Sequence, residues 1–216
     1  MRRVICAIIC AGLLPGDLVA GAVSGSSATT PARTAPPDWQ FNASAYTYFV
    51  PDDDDYVQPT FTADRQWLHL EGRYNYEDQN TVSTWIGYNF SWGKEVTFDL
   101  TPMLGGVFGD TSGIAPGYHA ALTWRWLDLY TEGEHVFSTD GETGSFFYSW
   151  STVTASPVEW LQLGLVAQHT RAYESEREIQ RGVLIGFSWQ RFAIIAHMFN
   201  PDDDDPTYVL ALNFNW

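Results

Sequence analysis

The stretch TYVLALNFNW, residues 207–216, ends the chain with an alternation between two kinds of side chain. Counting back from Trp216, every second residue is large and apolar, and those between are smaller or polar. Successive side chains of an extended strand point to opposite faces, so the pattern predicts a β-strand with one broad apolar face. Most soluble domains fray at their ends. A strand pattern that reaches the last residue therefore indicates that the fold uses this end.

The same period of two runs through the chain from Trp39 onward. Most of the alternating segments span about 10–12 residues, whereas soluble strands average about 5–6 and a tilted strand needs about 9–11 to cross a bilayer. There are about twelve of these segments, near residues 39–50, 57–63, 67–77, 81–92, 94–107, 115–126, 127–139, 145–155, 159–173, 177–189, 191–200 and 207–216.

Two kinds of connection alternate between the segments. One kind is minimal, such as GK after Trp92, and the other is mostly longer and polar, such as PDDDDY, GDTSGIAP and PDDDDP. Membrane barrels have tight turns at one rim and longer polar loops at the other. The sequence therefore predicts an all-β fold, a transmembrane antiparallel β-barrel of about twelve strands over residues 39–216. Ten strands is the alternative if segments two and three, or six and seven, are misjudged.

A soluble β-sandwich alternates in the same way, so the membrane prediction depends on where polar and charged residues fall. Charged residues share one face in mid-strand, as His69, Glu71 and Arg73 do. A water-filled interior accepts such groups, and a dry core does not. The opposite face carries almost no charge, and Arg181, near the outer rim, is the main exception.

Aromatic residues gather at the predicted strand ends. Rings at both water–lipid boundaries form the girdles of membrane barrels, whereas tryptophans scattered through a soluble core are the alternative. Tryptophans lie beside proposed tight turns or a terminus at Trp39, Trp67, Trp92, Trp126, Trp160, Trp189 and Trp216. Tyrosines lie towards the other rim at Tyr74, Tyr76, Tyr118 and Tyr208.

The last segment resembles the terminal strand of Gram-negative outer-membrane β-barrel proteins. The resemblance is specific to this motif over the last ten residues and covers residues 39–216 as porin-like architecture, without indicating a subfamily. It implies an integral location in the bacterial outer membrane, in contact with outer-membrane lipid and lipopolysaccharide. It also implies that the barrel-assembly machinery recognises the last strand through Tyr208, Leu210, Leu212, Phe214 and Trp216.

The N-terminus has the pattern of a secretory signal peptide. Two arginines precede a short apolar run, Val4–Leu14, and Ala20-Gly21-Ala22 offers a cleavage site. We expect a signal peptide over residues 1–22 and a disordered periplasmic leader over residues 23–38, which is rich in Ser, Thr, Ala and Pro. An even number of strands then leaves both termini in the periplasm.

Cysteine content and charge narrow the range of functions. Both cysteines, Cys6 and Cys10, lie in the predicted signal peptide, and Ile9 stands where lipidation of Cys10 needs a small residue. The formal net charge is −15. Nucleic-acid binding needs a basic surface, so nucleic acid is excluded as a partner.

The polar face predicts the lining of the barrel interior. Twelve strands lie between the filled eight-stranded barrels and the open porins of about 16 strands. The groups either line a narrow aqueous path or pair across it and close it. We predict a narrow passive pore for small solutes or cations, with a non-conducting barrel as the alternative. The predicted lining residues are His69, Glu71, Arg73, Glu95, Asp99, His119, Arg125, Asp128, Glu132, Glu134, Arg191 and His197.

The motif PDDDD occurs twice, and closure of the barrel would bring the two copies to one corner of the outer rim. Carboxylate-rich loops suit Ca²⁺ or Mg²⁺, although the spacing is not that of an EF-hand. A solvated charge run is the alternative, and no other cofactor is predicted. The candidate ligands of this weak divalent site are Asp52, Asp53, Asp54, Asp55, Asp202, Asp203, Asp204 and Asp205.

Catalysis is not predicted. His135 and Ser138 are the nearest local pair for a serine hydrolase, but at this spacing they face opposite sides of a strand. The His–x–Ser–Asn–Gly run of outer-membrane phospholipases is absent from the sequence, as are the CxxC and HExxH motifs. A lipid-modifying enzyme is therefore the third hypothesis, after a pore and a non-conducting structural or surface-interaction barrel.

Overall fold

The structure is a computed structural model that describes residues 38–51, 54–139, 144–172 and 178–216. The predicted signal peptide and residues 23–37 of the predicted leader lie outside the described residues, as do Asp52 and Asp53. Within the described ranges, no helix is long and apolar enough to cross a membrane.

The long alternating runs of the sequence form long antiparallel strands. Most of them match the predicted segments to within about three residues, which is the usual uncertainty of strand ends read from sequence. In chain order they are β1 (Gln40–Phe49), β2 (Tyr56–Arg65), β3 (Leu68–Tyr74), β4 (Val82–Tyr88), β5 (Phe90–Gly93), β6 (Val96–Phe108), β7 (Gly113–Trp124), β8 (Leu127–Ser138), β9 (Phe146–Val158), β10 (Leu161–Ala172), β11 (Glu178–Trp189), β12 (Phe192–Phe199) and β13 (Thr207–Asn215).

Hydrogen bonding joins these strands into one closed ring. Consecutive strands pair along the chain, except that β4 and β5 both pair with β6, and β1 pairs with β13 to close the ring. β4 and β5 are two halves of one wall strand, because both pair with β6 and Asn89 alone separates them. The wall therefore has twelve strands. This confirms the predicted antiparallel barrel and its strand count, although the segment near residues 81–92 is broken rather than continuous.

The last residue takes part in closing the ring. The backbone N–H groups of Phe41 and Trp216 each donate to the carbonyl oxygen of the other residue, both at 3.0 Å. The Trp216 ring also stacks on Phe41, with ring centres 5.6 Å apart. Pairing along the whole of β13 removes the open edge that would otherwise leave unsatisfied backbone groups.

The two rims differ as the connections predict. At one rim, called here the tight-turn rim, two-residue turns follow β2, β7 and β11, and φ is 55° at Gln66, 57° at Arg125 and 54° at Gln190. Positive φ at the first turn residue is a feature of the primed hairpin turns, whose twist fits the flanking strands. The opposite rim, called here the loop rim, carries the longer connections.

Side chains alternate between a buried inner face and an exposed outer face. Along β4, Ser83 and Trp85 are buried inside, while Val82 and Ile86 are exposed outside. The outer face is a belt of large apolar side chains, and the tryptophans of the tight-turn rim are exposed, with Trp189 at 72%. An exposed apolar surface of this extent is expected to contact lipid rather than water.

One predicted girdle residue has a different position. Tyr76 is 2% exposed and points into the barrel instead of lying at the lipid boundary. It belongs to the connection between β3 and β4, where the regular alternation ends and the successive residues Tyr76 and Glu77 are both buried. Tyr74 and Tyr208 are exposed on the outside, and Tyr118 is half-buried.

Candidate functional site

The interior of the barrel has two chemically different halves. A polar cluster occupies the side formed by β2, β3, β7 and β8, and an aromatic cluster occupies the side formed by β1, β9 and β12. The polar cluster comprises Asp64, His69, Glu71, Arg73, Tyr76, Glu77, His119, Tyr130, Glu132 and Glu134. The aromatic cluster comprises Tyr46, Tyr48, Tyr148, Trp150, His197 and Phe199.

Arg73 is the centre of the polar cluster. Its Nε lies 2.6 Å from Glu71 Oε1 on the same strand, and its Nη1 lies 2.8 Å from Glu134 Oε2 on β8. The guanidinium carbon also lies 3.9 Å from the ring centre of Tyr76 and 4.5 Å from that of Trp85. Three wall strands separate β3 from β8, so the ion pair with Glu134 crosses the interior of the barrel.

Trp85 has space beside Arg73 because a glycine faces it from β6. A Cβ atom on Gly105 would come within 2.6 Å of the Trp85 indole, closer than real Cβ atoms approach a ring. The indole Nε1–H donates to Ser83 Oγ at 2.9 Å, so the buried donor is satisfied. Gly105 therefore allows a large ring to pack on the polar face, where the alternation of β4 places it.

Two tyrosines fix Glu132 on β8. The Tyr76 hydroxyl donates to Glu132 Oε1 at 2.8 Å, and the Tyr130 hydroxyl donates to Oε2 at 2.7 Å. The bond from Tyr76 ties the β3–β4 connection to the opposite wall. In the same connection, burial raises the pKa of Glu77, and the nearby Arg73 guanidinium opposes this rise less strongly.

The end of the cluster nearer the tight-turn rim contains two histidines. His69 Nδ1 lies 2.8 Å from Asp64 Oδ1, and His69 Nε2 lies 3.1 Å from Glu71 Oε2. His119 Nε2 lies 3.6 Å from Glu71 Oε2. Asn89, at the break between β4 and β5, donates its amide to Asp64 Oδ1 at 2.7 Å. The break therefore turns a side chain inward to hold this end of the cluster.

The polar cluster contains more carboxyl groups than basic groups. In the described interior it sets five carboxyl groups against a single guanidinium, and four of the five side chains are at most 3% exposed. Asp64 is the exception, at 27%. Buried charge without a counter-charge is costly, so protons or cations must neutralise part of this cluster.

Aromatic contacts fill the other half. Trp150 packs edge-on against His197, at 5.5 Å between ring centres, and against Phe199, at 5.3 Å. Two wall strands separate β9 from β12, so these contacts also span the interior. Tyr148 meets Tyr76 edge-on at 6.4 Å and so joins the two halves. Because these side chains are almost fully buried, the barrel is filled at this level and passage requires side chains to move.

The predicted lining residues fall into three groups. Nine of them point inward. Two of the nine, Asp99 and Asp128, are half-buried towards the tight-turn rim. The other seven are buried: His69, Glu71, Arg73, His119, Glu132, Glu134 and His197. Glu95, Arg125 and Arg191 do not line the interior. They lie exposed in tight turns, because the alternation was extended past the ends of the strands.

Sequence reasoning missed several inward residues. Asp64 lies just past the predicted segment near residues 57–63, and Tyr76 and Glu77 belong to a connection in which the period of two ends. The inward positions of Tyr130 and Trp150 can be read from the sequence. Tyr130 alternates in step with Asp128 and Glu132, and Trp150 alternates in step with Tyr148.

The acidic loops lie at the loop rim on neighbouring strands, since Phe49 pairs with Tyr208. Asp54, Asp55 and Asp202–Asp205 are exposed. Arg181 donates to Asp202 Oδ2 at 2.7 Å and holds the pKa of that carboxyl below its usual range. Arg181 therefore already provides one of these aspartates with a cation.

The residues considered for hydrolysis lie apart from both clusters. His135 packs edge-on against Phe137 at 4.4 Å between ring centres. Ser138 lies at the end of β8, and its N–H donates to Ser145 Oγ. His135 alternates in step with the exposed Phe137, and Ser138 alternates in step with the buried Val136, so the two lie on opposite faces of β8, as their spacing predicts.

No protein-family model and no curated protein matches the chain. Among solved structures, it is similar to the KdgM porin, with a TM-score of 0.57 and 9% identity over 80% of this chain and 98% of that one. It is equally similar to the KdgM porin in complex with disordered oligogalacturonate, with a TM-score of 0.58 and 10% identity over 81% and 98% of the two chains. The Acinetobacter baumannii outer membrane protein Omp33 matches with a TM-score of 0.50 and 10% identity, over 82% and 98%. At such low identity the likeness concerns the fold alone, and the protein has the fold of a porin-like outer-membrane β-barrel.

Proposed function

We propose that the protein is an integral barrel of the bacterial outer membrane that passes small cations or neutral solutes, and that the polar cluster is its constriction. The apolar outer belt, the exposed tryptophans at the tight-turn rim and the porin-like fold support a membrane location. The resemblance of β13 to the assembly strand of outer-membrane barrels supports insertion by the barrel-assembly machinery, with both termini in the periplasm.

The observation that carries this proposal is the excess of carboxyl groups inside one half of the barrel. From the tight-turn rim, the inward polar groups begin with the half-buried Asp99 and Asp128. They continue through Asp64 and Glu71 to the buried Glu77 in the β3–β4 connection. Carboxylates along a narrow path attract cations and repel anions.

The charge of the path also indicates which solutes are excluded. The KdgM porin has been solved in complex with oligogalacturonate, an acidic sugar chain. The interior described here is itself acidic, and its single guanidinium is already engaged by Glu71 and Glu134. We therefore propose cations or small neutral solutes rather than acidic oligosaccharides.

A specific observation favours a second candidate, a non-conducting barrel. The Arg73–Glu134 ion pair and the Tyr76–Glu132 hydrogen bond both cross the interior, and their side chains are buried. If these contacts stay closed, the interior only stabilises the wall. The role of the barrel would then lie in its loops, where weak Ca²⁺ or Mg²⁺ binding and contact with lipopolysaccharide remain proposals.

Planar-bilayer recording separates the two candidates. We expect small ohmic steps with cation preference from the wild-type barrel, and larger steps from the double variant Arg73→Ala/Glu134→Ala, which removes both halves of the crossing pair. The matched control is Glu95→Ala/Arg191→Ala, which removes one charge of each sign from the exposed tight turns. Silence from folded wild type and from the folded double variant would eliminate the pore and leave the structural barrel.

A further inference from the structure

Three groups that commonly bind transition metals converge inside the polar cluster. His69 and Glu71 are alternate residues of β3 and so share its inner face, while His119 reaches them from β7. One nitrogen of each imidazole and one oxygen of the carboxyl group all lie within 4.8 Å of one another. Two wall strands, one formed by β4 and β5 and the other by β6, separate β3 from β7, so this convergence depends on barrel closure.

The distances match a small coordination sphere. Zn²⁺ holds nitrogen and oxygen ligands at about 2.0–2.2 Å, which places two ligands of a tetrahedral site about 3.4 Å apart. Glu71 Oε2 lies 3.1 Å from His69 Nε2 and 3.6 Å from His119 Nε2. The other oxygen of Glu71 is taken by Arg73 Nε, so Oε2 is the oxygen that faces both imidazoles.

Asp64 orients His69 in the way that a carboxylate usually orients a metal-binding histidine. Its carboxylate lies 2.8 Å from His69 Nδ1 and in turn accepts a hydrogen bond from the Asn89 amide. A carboxylate that accepts a hydrogen bond from the N–H of one ring nitrogen leaves the lone pair of the other nitrogen free to bind a metal. In that tautomer His69 Nε2 and Glu71 Oε2 are two acceptors facing each other at 3.1 Å, and a cation between them removes the repulsion.

The surrounding charge favours a divalent cation. Glu132 Oε2 lies 3.6 Å from His119 Nε2, and Glu134 Oε1, which is buried, accepts no hydrogen bond from any described residue. Arg73 competes with a metal, because its Nη2 lies 3.4 Å from His119 Nε2. Asp64 is 27% exposed, so water reaches the end of the group that lies nearer the tight-turn rim.

We infer that His69 Nε2, Glu71 Oε2 and His119 Nε2 form a binding site for one first-row divalent transition-metal ion of the Zn²⁺ type. Two imidazoles and one carboxylate select such an ion over Ca²⁺ and Mg²⁺, which prefer all-oxygen ligands. The site does not rest on conduction, since its ligands converge whether or not solutes pass. The competing account is a proton shared between His69 and Glu71, with no metal.

Metal titration of the full-length barrel, purified in detergent and freed of metal, tests the site. We expect one equivalent of Zn²⁺ by calorimetry and visible absorption from Co²⁺ in the same site. His69→Ala and His119→Ala should each abolish the Co²⁺ absorption, and Asp64→Asn should weaken Zn²⁺ binding about 10–100-fold. His197→Ala is the matched control, because it removes a buried interior histidine from the aromatic cluster and should leave binding unchanged.

Two further variants distinguish binding at this site from binding to surface carboxylates and from competition by Arg73. Asp202→Asn/Asp203→Asn/Asp204→Asn/Asp205→Asn removes surface carboxylates and should retain the site, whereas Arg73→Gln removes the competing guanidinium and should tighten Zn²⁺ binding. Folding of each variant is checked by heat-modifiable migration on gels. Absence of Zn²⁺ binding by folded wild type and by Arg73→Gln would overturn the site, as would binding that survives loss of both histidines. Bilayer recording of the same samples reports on conduction separately.

Discussion

Most side chains of the polar cluster are buried, as those of the aromatic cluster are, but the two clusters are held together by opposite means. Trp150 is completely buried among rings and needs no partner charge, whereas Arg73 is buried only in company with Glu71 and Glu134. Burying rings is favourable in itself. Burying an ion pair is close to neutral at best, because desolvation offsets the attraction. The aromatic cluster therefore accounts for the filling of its half of the barrel, whereas the buried charges of the polar cluster make that half the candidate functional region.

The largest loss of free energy of unfolding is expected when a side chain of the aromatic cluster is truncated. Trp150→Ala leaves a cavity between β9 and β12, and it should lower the free energy of unfolding towards the upper end of about 3–5 kcal/mol. Urea unfolding of the barrel in detergent measures this. Trp189→Ala is the matched control, since Trp189 is exposed at the tight-turn rim, and its effect should be smaller. Equal losses in the two variants would show that the aromatic cluster is not the stabilising half.

A smaller loss of free energy of unfolding is expected in the polar cluster, and further substitutions should recover it. Arg73→Met leaves Glu71 and Glu134 buried without their cation and should cost about 3 kcal/mol, because the carboxyl groups relieve part of the repulsion by taking up protons. The triple variant Arg73→Met/Glu71→Gln/Glu134→Gln should regain most of that loss in the same urea assay. Failure of the triple variant to recover would indicate that packing, rather than charge balance, holds the polar half.

The smallest expected effect is the contribution of Glu77 to the pH dependence of stability. Burial holds the pKa of Glu77 above its ordinary value of 4.5. The unfolded chain then ionises more readily than the folded one, so the contribution of Glu77 to stability is fully present below about pH 4.5 and is lost as pH rises towards the folded pKa. Relative to wild type, Glu77→Gln should unfold at nearly the same urea concentration at low pH and become comparatively more stable as pH rises.

The control for Glu77 is Glu159→Gln. Glu159 is exposed in the tight turn between β9 and β10, so this variant makes the same chemical change outside the polar cluster. Parallel curves for Glu77→Gln and wild type would contradict the raised pKa and remove Glu77 from the buried charge of the polar cluster.

The same contrast explains what the sequence could predict. Period-two alternation is a local property of each strand, so the strand count and the inward position of Glu71 and Glu132 followed from it. The break at Asn89 carries no local marker. Glu95, Arg125 and Arg191 were misplaced because alternation has no meaning inside a two-residue turn.

The contacts that make the site were beyond sequence reasoning. Arg73 and Glu134 are 61 residues apart and meet only because the ring closes. His119 approaches His69 and Glu71 for the same reason. Tyr76 and Glu77 lie in a connection whose side-chain directions depend on packing against β8 rather than on any period. Face assignment is therefore predictable from the sequence, whereas pairing across a barrel depends on its diameter and register.

Cysteine modification during bilayer recording tests most directly whether the polar half is the path. Both native cysteines lie in the predicted signal peptide, so single cysteines can be placed in the barrel. Thr101→Cys lies on the inner face of β6 near Asn89, and Ala211→Cys lies on the inner face of β13 among the aromatic residues. A cationic methanethiosulfonate reagent should reduce the current through Thr101→Cys and leave the current through Ala211→Cys unchanged. Equal reduction in both variants, or reduction only in Ala211→Cys, would contradict a cation path through the polar cluster.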